Sequence, residues 1–182
     1  YFNMVGGVDR NYLAALDASG QPTAWDPGAD STVETLQFAD CLVYAGGYFS
    51  NIGGQPRNCL AALDSATGAA TAWDPGADSD VYTLAVGDGV VYAGGDFHNI
   101  GGQPRNFLAA LNAATGAATA WNPGPNLYIY DLQVANGLVY AGGEFTAIGG
   151  QPRNYLAALN TATGAATAWD PDADDLVEHL TV

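Results

Sequence analysis

The sequence predicts an all-β protein, a β-propeller of four-stranded antiparallel blades, because one unit of about 48 residues is used almost four times along the chain. One motif, Val-Tyr-Ala-Gly-Gly, recurs at 43–47, 91–95 and 139–143. A second motif, Ile-Gly-Gly-Gln-Pro-Arg-Asn, recurs at 52–58, 100–106 and 148–154. A tryptophan keeps the same spacing, at Trp25, Trp73, Trp121 and Trp169. This register excludes two unrelated domains joined by a long linker.

Each unit contains four apolar segments of strand length. In one copy they cover 81–86, 90–93, 106–111 and 118–121. Gly, Pro, Asn or Asp residues bound every segment, which is typical of turns between antiparallel strands. Four such strands in one repeat have the size of a propeller blade.

The segment 108–120 is open to another interpretation. It is rich in alanine, the strongest helix former, so an α/β solenoid is the alternative fold. Gly116 in its middle suits a left-handed turn, and Pro123 forces the residue before it into an extended conformation. We therefore expect strands across this segment.

The repeat resembles kelch and quinoprotein-like propeller repeats in its Val-Tyr-Ala-Gly-Gly, Leu-Ala-Ala-Leu and Thr-Gly elements, which are followed by Trp. It is most similar to a bacterial β-propeller repeat family of uncharacterised function, the delta-sixty type, which carries Gly-Gly-x-Phe and Arg-Asn-x-Leu-Ala elements. The resemblance implies blades whose Trp packs against the adjacent blade and whose second strand ends at Gly-Gly. The Trp lies one residue further from Thr-Gly than in quinoprotein repeats, and no quinone site is recognisable, so no cofactor is expected.

We interpret residues 1–182 as a single propeller domain or a segment of one, with three complete repeats and one split between the termini. The units are approximately 1–32, 33–80, 81–128 and 129–176. Residues 177–182 then start a further blade or close the ring. Residues 1–11 align without gaps to 48–58, which leaves the split repeat without its second strand. Alternatively, residues 2–7 replace that strand and four blades close the ring.

An incomplete blade has a consequence for partners. A strand edge without its neighbour is a site for association, so the gapless alignment predicts a protein partner, self-association, or a segment of a larger propeller.

The charge balance restricts the partners further. The chain has 19 Asp and Glu residues against four Arg and no Lys, with a formal net charge of −15. Nucleic acid and anionic membranes both need a basic surface, so neither is an expected partner. No apolar run approaches the ~18 residues of a transmembrane helix, so no membrane insertion is expected. The acidic surface suits an extracellular or cell-envelope location.

Two repeated positions are predicted to be structural. The tryptophans would wedge one blade against the next. The arginines would each tie a loop to a carboxylate or a backbone carbonyl through a planar, multidentate group. They are Arg10, Arg57, Arg105 and Arg153.

An acidic turn follows each tryptophan. The third copy carries Asn122 and Asn126 where the others have Asp, which keeps the acceptor oxygen and loses the charge. This replacement favours hydrogen bonds that cap turns over metal binding. The last copy, with Asp170, Asp172 and Asp174, remains a weak calcium candidate because its carboxylates are clustered.

Function is expected where the copies differ. The candidate ligand-binding residues are Tyr48, Asp96, His98, Tyr128, Tyr130, Asp131 and Glu144. The tyrosines offer stacking surfaces for a sugar. Asp96 with Glu144, or either with His98, would be an acid–base pair, but no nucleophile motif, phosphate-binding loop or zinc spacing accompanies them.

The sequence therefore predicts a non-catalytic scaffold or binding module that mediates protein interaction or assembly. A lectin-like carbohydrate-binding propeller is the first alternative, and a propeller hydrolase is the second. Cys41 and Cys59 are expected near the starts of consecutive antiparallel strands, too far apart for a disulfide. We expect both to be free, buried thiols without a catalytic role.

Overall fold

The structure is a computed structural model that describes residues 2–182, and these form strands, turns and loops without a helix. Within the described residues, nine longer strands build three antiparallel sheets. The first strands are β3 (Val33–Ala39), β8 (Val81–Gly87) and β13 (Ile129–Ala135). The second strands are β4 (Leu42–Gly47), β9 (Val90–Gly95) and β14 (Leu138–Gly143). The third strands are β7 (Leu60–Asp64), β12 (Leu108–Asn112) and β17 (Leu156–Asn160).

In each sheet the second strand is central, with sheet orders β3-β4-β7, β8-β9-β12 and β13-β14-β17. Between the second and third strands lies a two-stranded hairpin at the Gly-Gly-Gln-Pro motif. These hairpins pair β5 (Asn51–Ile52) with β6 (Gln55–Pro56), β10 (Asn99–Ile100) with β11 (Gln103–Pro104), and β15 (Ala147–Ile148) with β16 (Gln151–Pro152).

The N-terminal residues form the same hairpin. Strand β1 (Met4–Val5) pairs with β2 (Val8–Asp9) in the register Met4↔Asp9 and Val5↔Val8. Hairpin β5–β6 has the equivalent register, Asn51↔Pro56 and Ile52↔Gln55. The structure therefore follows the gapless alignment, and residues 2–7 do not form a second strand.

The predicted fourth strand of each blade is shorter than expected. In the third repeat it is one bridge, Leu111↔Ala118, flanked by hydrogen bonds from Asn112 N–H to the Ala117 oxygen (2.9 Å) and from Thr119 N–H to the Ala110 oxygen (2.8 Å). The chain then leaves the sheet because Trp121 N–H donates to the Thr119 hydroxyl and its indole extends to the next sheet. Each blade is thus a three-stranded sheet with a short fourth segment.

Consecutive sheets are stacked face to face, and the core lies between them. Trp73 contacts the Tyr44 ring of its own sheet and donates its indole N–H to the Asn112 oxygen of the next sheet at 3.1 Å. Trp25 and Trp121 make the same bond to the following sheet. These three indoles are 5–8% exposed, whereas Trp169 is 45% exposed. The prediction that every Trp is wedged between blades is therefore wrong for Trp169, because no further sheet among residues 2–182 covers it.

The C-terminal segment (176–182) lies beside β13. Leu180 N–H donates to the Asp131 carboxylate at 2.7 Å, just as Leu132 N–H donates to the Thr83 hydroxyl at 3.2 Å one repeat earlier. The segment therefore has the position of a first strand relative to β13.

Both cysteines are free, as expected, but the prediction that they are buried is wrong. Cys41 is exposed, with φ of 63°, at the second position of the β3–β4 turn, where the other copies have Gly89 and Gly137. A residue at this position points away from the sheet into solvent. Cys59 is partly buried, and burial, aided by nearby aspartates, raises its pKa to about 11.

Candidate binding sites

An apolar groove of about 720 Å³ lies between the N-terminal repeat and the first complete sheet. One wall is formed by Leu13–Ala15 with Trp25, and the other by residues of β3 and β4, chiefly Leu36, Phe38 and Val43. We call this surface the groove.

Comparison with the other repeats shows what is unusual about the groove. Leu36 is 44% exposed, but its equivalents Leu84 and Leu132, one and two repeats later, are 1% exposed. Phe38 is 69% exposed. In the later repeats the second strand of the preceding sheet contributes to covering this face, and within residues 2–182 the N-terminal repeat has no second strand.

A second pocket, of about 390 Å³, lies where the first strands converge. Four of its lining residues occupy one repeat position at intervals of 48 residues, and they are Glu34, Tyr82, Tyr130 and Glu178. Tyr48 and His179 complete the lining. We call it the axial pocket.

A β-bulge directs side chains into the axial pocket. The pairing of β8 with β9 shifts between Val81 and Thr83, so Tyr82 is the extra residue, and Glu34 and Tyr130 are the extra residues of β3 and β13. Bulges turn a side chain away from the regular alternation and are frequent beside functional sites.

Close packing on two sides explains the Gly-Gly pair of the repeat. A Cβ on Gly95 would lie 2.1 Å from the Asp80 carbonyl oxygen. A Cβ on Gly94 would lie 2.6 Å from the Ile129 side chain of the next sheet. The two glycines are required by close approach rather than by a turn conformation.

Aromatic rings and carboxylates determine the chemistry of the axial pocket. The ring centroids of Tyr82 lie 5.9 Å from Tyr130 and 6.1 Å from Tyr48. Burial raises the pKa of Tyr130 to about 12, assisted by its hydrogen bond to Glu144, and burial likewise raises the pKa of Tyr82. Both phenols stay protonated at neutral pH and can donate hydrogen bonds.

Two of the remaining predicted ligand residues pack against one ring, that of Phe107. Tyr128 lies 5.4 Å, ring to ring, from Phe107, and His98 lies 5.0 Å from the same ring. The pKa of Asp80 is raised by burial and by the neighbouring charge of Asp96.

Asp131 connects three neighbouring first-strand positions. Its carboxylate accepts hydrogen bonds from the Thr83 hydroxyl, from Leu132 N–H and from Leu180 N–H. This set of bonds holds β8, β13 and the C-terminal segment together.

The acidic turns cap the small hairpins. Asp78 accepts hydrogen bonds from His98 N–H, from Asn99 N–H and from the Asn99 amide at 2.7–2.9 Å. Asn126 accepts the two equivalent backbone bonds in the third copy. The same backbone hydrogen bonds therefore form whether the accepting side chain is a charged Asp or a neutral Asn.

The aspartates proposed as a weak calcium site, Asp170, Asp172 and Asp174, do not form a metal-binding cluster. Asp170 forms an ion pair with Arg153 at 3.3 Å, and Asp172 accepts a hydrogen bond from the Asn154 amide at 3.0 Å. In the described part of the chain, no three His, Cys, Asp or Glu side chains are grouped so that they could hold a metal ion.

Each arginine ties a loop to the short fourth segment of its own repeat. Arg105 donates to the Thr119 oxygen at 2.6 Å and to the Pro104 oxygen at 2.7 Å. The others make the same two bonds, and Arg10, Arg57 and Arg153 also lie within 3.3–3.6 Å of an Asp carboxylate.

Sequence reasoning missed Glu34, Tyr82 and Glu178 in the axial pocket. Their signal was the 48-residue register itself, since all three share the repeat position of the predicted residue Tyr130. It also missed Leu36 and Phe38, whose exposure follows only from the absence of a covering strand within residues 2–182.

Comparisons with known proteins agree with this architecture. Two stretches, 87–117 and 135–165, match the family model of a beta-propeller domain of unknown function, DUF5122. No curated protein matches the chain.

Among solved structures, the computationally designed Ika8 protein is similar at a TM-score of 0.52 and 18% identity, over 87% of this chain and 54% of that one. The chain thus spans about half the length of Ika8. The computationally designed Ika4 protein aligns at a TM-score of 0.47 and 18% identity, over 73% of this chain and 68% of its own.

The radially stacked antiparallel sheets and the family match define the class: the chain is a repeat protein of the β-propeller type, similar to a family of unknown function. Among residues 2–182, no helix is long and apolar enough to cross a membrane.

Proposed function

We propose that the protein is a non-catalytic β-propeller scaffold that binds another polypeptide through the groove. The exposure of Leu36 and Phe38 carries this proposal, because the Leu36 position is covered in later repeats and open here, and Phe38 on the same strand is 69% exposed. Contiguous exposed apolar surface is typical of protein interaction sites. The edge of residues 13–16, which has no second strand beside it within residues 2–182, adds backbone groups for a partner.

The absence of catalysis is part of the proposal. Its support is that the acid–base candidates have separate surroundings: Glu144 binds the Tyr130 hydroxyl, and the exposed His98 packs against Phe107. Asp96 lies beside Asp80.

A random peptide library displayed on phage tests the binding proposal. We expect peptides that bind the wild-type protein and lose binding to the double variant Leu36→Asp/Phe38→Asp. Met4→Asp is the matched control, since Met4 is 59% exposed and does not line the groove. Recovery of no peptide that depends on Leu36 and Phe38 would contradict the proposal.

Carbohydrate binding at the axial pocket is the second candidate function. The three tyrosines offer faces for sugar rings, and Glu34 and Glu178 offer acceptors for sugar hydroxyls. A glycan array should show binding that is lost in Tyr82→Ala and kept in Tyr155→Ala, outside the pocket. Absence of binding to every glycan on the array would eliminate this candidate function.

We further propose that the repeats are of the delta-sixty type, related in pattern to kelch repeats, and that the protein works outside the cell or in the cell envelope. The net charge of −15 supports the location. Convergence of four first-strand positions on one pocket supports a ring of four blades, one of them incomplete.

A further inference from the structure

The axial pocket is lined by aromatic rings that belong to three successive blades. The ring centroid of Tyr82 lies 5.9 Å from that of Tyr130 and 6.1 Å from that of Tyr48, with the ring planes inclined by 32° and 44°. Tyr82 and Tyr130 are the extra residues of equivalent bulges, so the repeat itself places one ring beside the next. A positive group in the pocket can therefore lie within about 6 Å of more than one ring, the range over which ring faces attract a cation.

The charge in and around the axial pocket is negative. Glu34 and Glu178 line the pocket, and within residues 2–182 neither of them forms an ion pair. Burial raises the pKa of Tyr82, and nearby groups, Asp96 and Asp80 among them, raise it further. Surroundings that oppose a negative charge on a phenol favour a positive charge on a ligand.

No arginine balances these carboxylates within residues 2–182. The four arginines are the only Lys or Arg residues of the chain, each donates to a Thr carbonyl oxygen of its own repeat, and none lines the pocket. A volume of about 390 Å³ is large for a single inorganic ion, and the described residues offer no metal-binding group of three side chains. A neutral sugar would use the rings and leave the charge of the pocket without a counterpart, whereas an organic cation uses both.

We infer that the axial pocket binds a small organic cation with a quaternary ammonium group, a ligand class that goes beyond the proposed binding of a polypeptide at the groove. The methyl groups of the cation lie against the rings of Tyr48, Tyr82 and Tyr130. The carboxylates of Glu34 and Glu178 balance its charge. A quaternary group has no N–H to donate, so it loses less hydration in an aromatic pocket than a primary ammonium does.

The charge of the pocket also selects among ligands that carry a quaternary ammonium group. Such a group occurs in free cations such as choline and, joined to a phosphate, in phosphocholine and lipid headgroups. Carboxylates beside the pocket repel a phosphate, so the inferred ligand is the free cation.

Titrations followed by proton–nitrogen correlation NMR test the inference on the wild-type protein. The probes are choline and its neutral isostere dimethylbutanol, in which a carbon atom replaces the ammonium nitrogen. We expect choline to shift the amide signals of Tyr82, Tyr130 and Glu178 and to bind at least about tenfold more tightly than the isostere. Phosphocholine should bind more weakly than choline.

Three results of these titrations would overturn the inference: no binding of choline, equal affinity for choline and the isostere, or shifts confined to residues outside the pocket. Tighter binding of phosphocholine than of choline would contradict a free cation as the ligand.

Protein variants separate the contributions of charge and ring. Glu34→Gln/Glu178→Gln should weaken choline binding about threefold or more, since each exposed carboxylate contributes modestly. Asp9→Asn/Asp40→Asn removes the same number of charges at exposed positions outside the pocket and should bind choline as the wild type does. Tyr82→Phe should bind choline more tightly than Tyr82→Leu, because Phe retains the ring. The same spectra show whether each variant is folded, and equal choline affinities within either pair of variants would overturn the inference.

The outcomes also distinguish this inference from the two candidate functions. Glycan binding that is lost in Tyr82→Ala, together with no binding of choline, would overturn the cation inference and support carbohydrate binding. The phage experiment tests the proposed function alone, because Leu36 and Phe38 do not line the axial pocket.

Discussion

The tryptophan of the repeat joins neighbouring sheets by two contacts. Trp121 packs edge to face on Tyr92 at 5.1 Å, and its N–H satisfies the Asn160 oxygen, which ends β17 in the next sheet. Trp169 packs on Tyr140 in the same way, but its indole N–H has no acceptor among the described residues. Both tryptophans therefore contact a tyrosine of their own sheet, but only Trp121 is hydrogen-bonded to the next sheet.

This difference gives a matched pair of substitutions. Trp121→Ala should lower the free energy of unfolding by about 3–5 kcal/mol, because it opens a cavity between two sheets. Trp169→Ala should lower it by about 1 kcal/mol, since a side chain that is 45% exposed loses less burial. Urea titration followed by circular dichroism measures both values, and equal losses would show that the indoles do not dock one sheet to the next.

At the residue scale, the repeat register identified the residues that recur in every repeat, but it did not predict how deeply each one is buried. The spacing identified all four tryptophans. It did not predict that Trp169 is exposed, because burial of the indole requires a following sheet, which residues 2–182 do not supply at this position. The burial of Cys41 was mispredicted because a cysteine replaces the turn glycine of the other copies.

At the scale of the element, the second strand ends in two glycines because a first strand crosses it closely. A Cβ on Gly143 would lie 2.1 Å from the Tyr128 oxygen, so the bulge that directs Tyr130 to the axial pocket requires a glycine there. Gly150, in the β15–β16 turn, has φ of 77° and open space around its Cβ position.

Substitution by alanine should destabilise the protein to different extents at Gly143 and Gly150. Gly143→Ala should lower the free energy of unfolding by about 3 kcal/mol or more, because backbone must shift to relieve the clash. Gly150→Ala should cost about 1 kcal/mol, the strain of a left-handed alanine. Chemical denaturation of both variants provides the measurement, and a Gly143→Ala cost no larger than that of Gly150→Ala would contradict the close approach.

The sequence predicted three of the four strands of each blade well. The Gly, Asn and Pro residues that bound them are local signals. The fourth strand was overestimated because its end is determined by the indole of Trp121 reaching the next sheet, which is a long-range contact.

At the scale of the whole molecule, the acidic turns make stability depend on pH. Burial acts to raise the pKa of Asp78, but hydrogen bonds from the Asn99 side chain and from Asn99 and His98 N–H outweigh it, so the pKa lies below the ordinary 3.8. The same holds for Asp30 with Asn51 and Ser50. A lowered folded-state pKa stabilises the fold above the unfolded-state value, and this contribution is lost as the pH falls from about 4 through the folded-state pKa.

Asp78→Asn should therefore reduce the loss of Tm between pH 5 and pH 2, because the variant keeps the geometry that Asn126 already shows in the third copy. Asp9→Asn is the charge-matched control on an exposed hairpin and should follow the wild type. Thermal melts across this pH range measure the effect. Identical acid profiles of Asp78→Asn and wild type would refute the assigned role.

The account as a whole depends on sheets stacked around one axis, with one repeat whose inner edge is unpaired within residues 2–182. Residue-resolved hydrogen exchange by NMR tests this directly. We expect the amides of Ala61 and Leu63 to be strongly protected and those of Ala14 and Leu16, at the equivalent positions, to exchange at least about a hundredfold faster, as unpaired groups do. Equal protection at the two pairs of positions would show a closed N-terminal blade and would contradict the account.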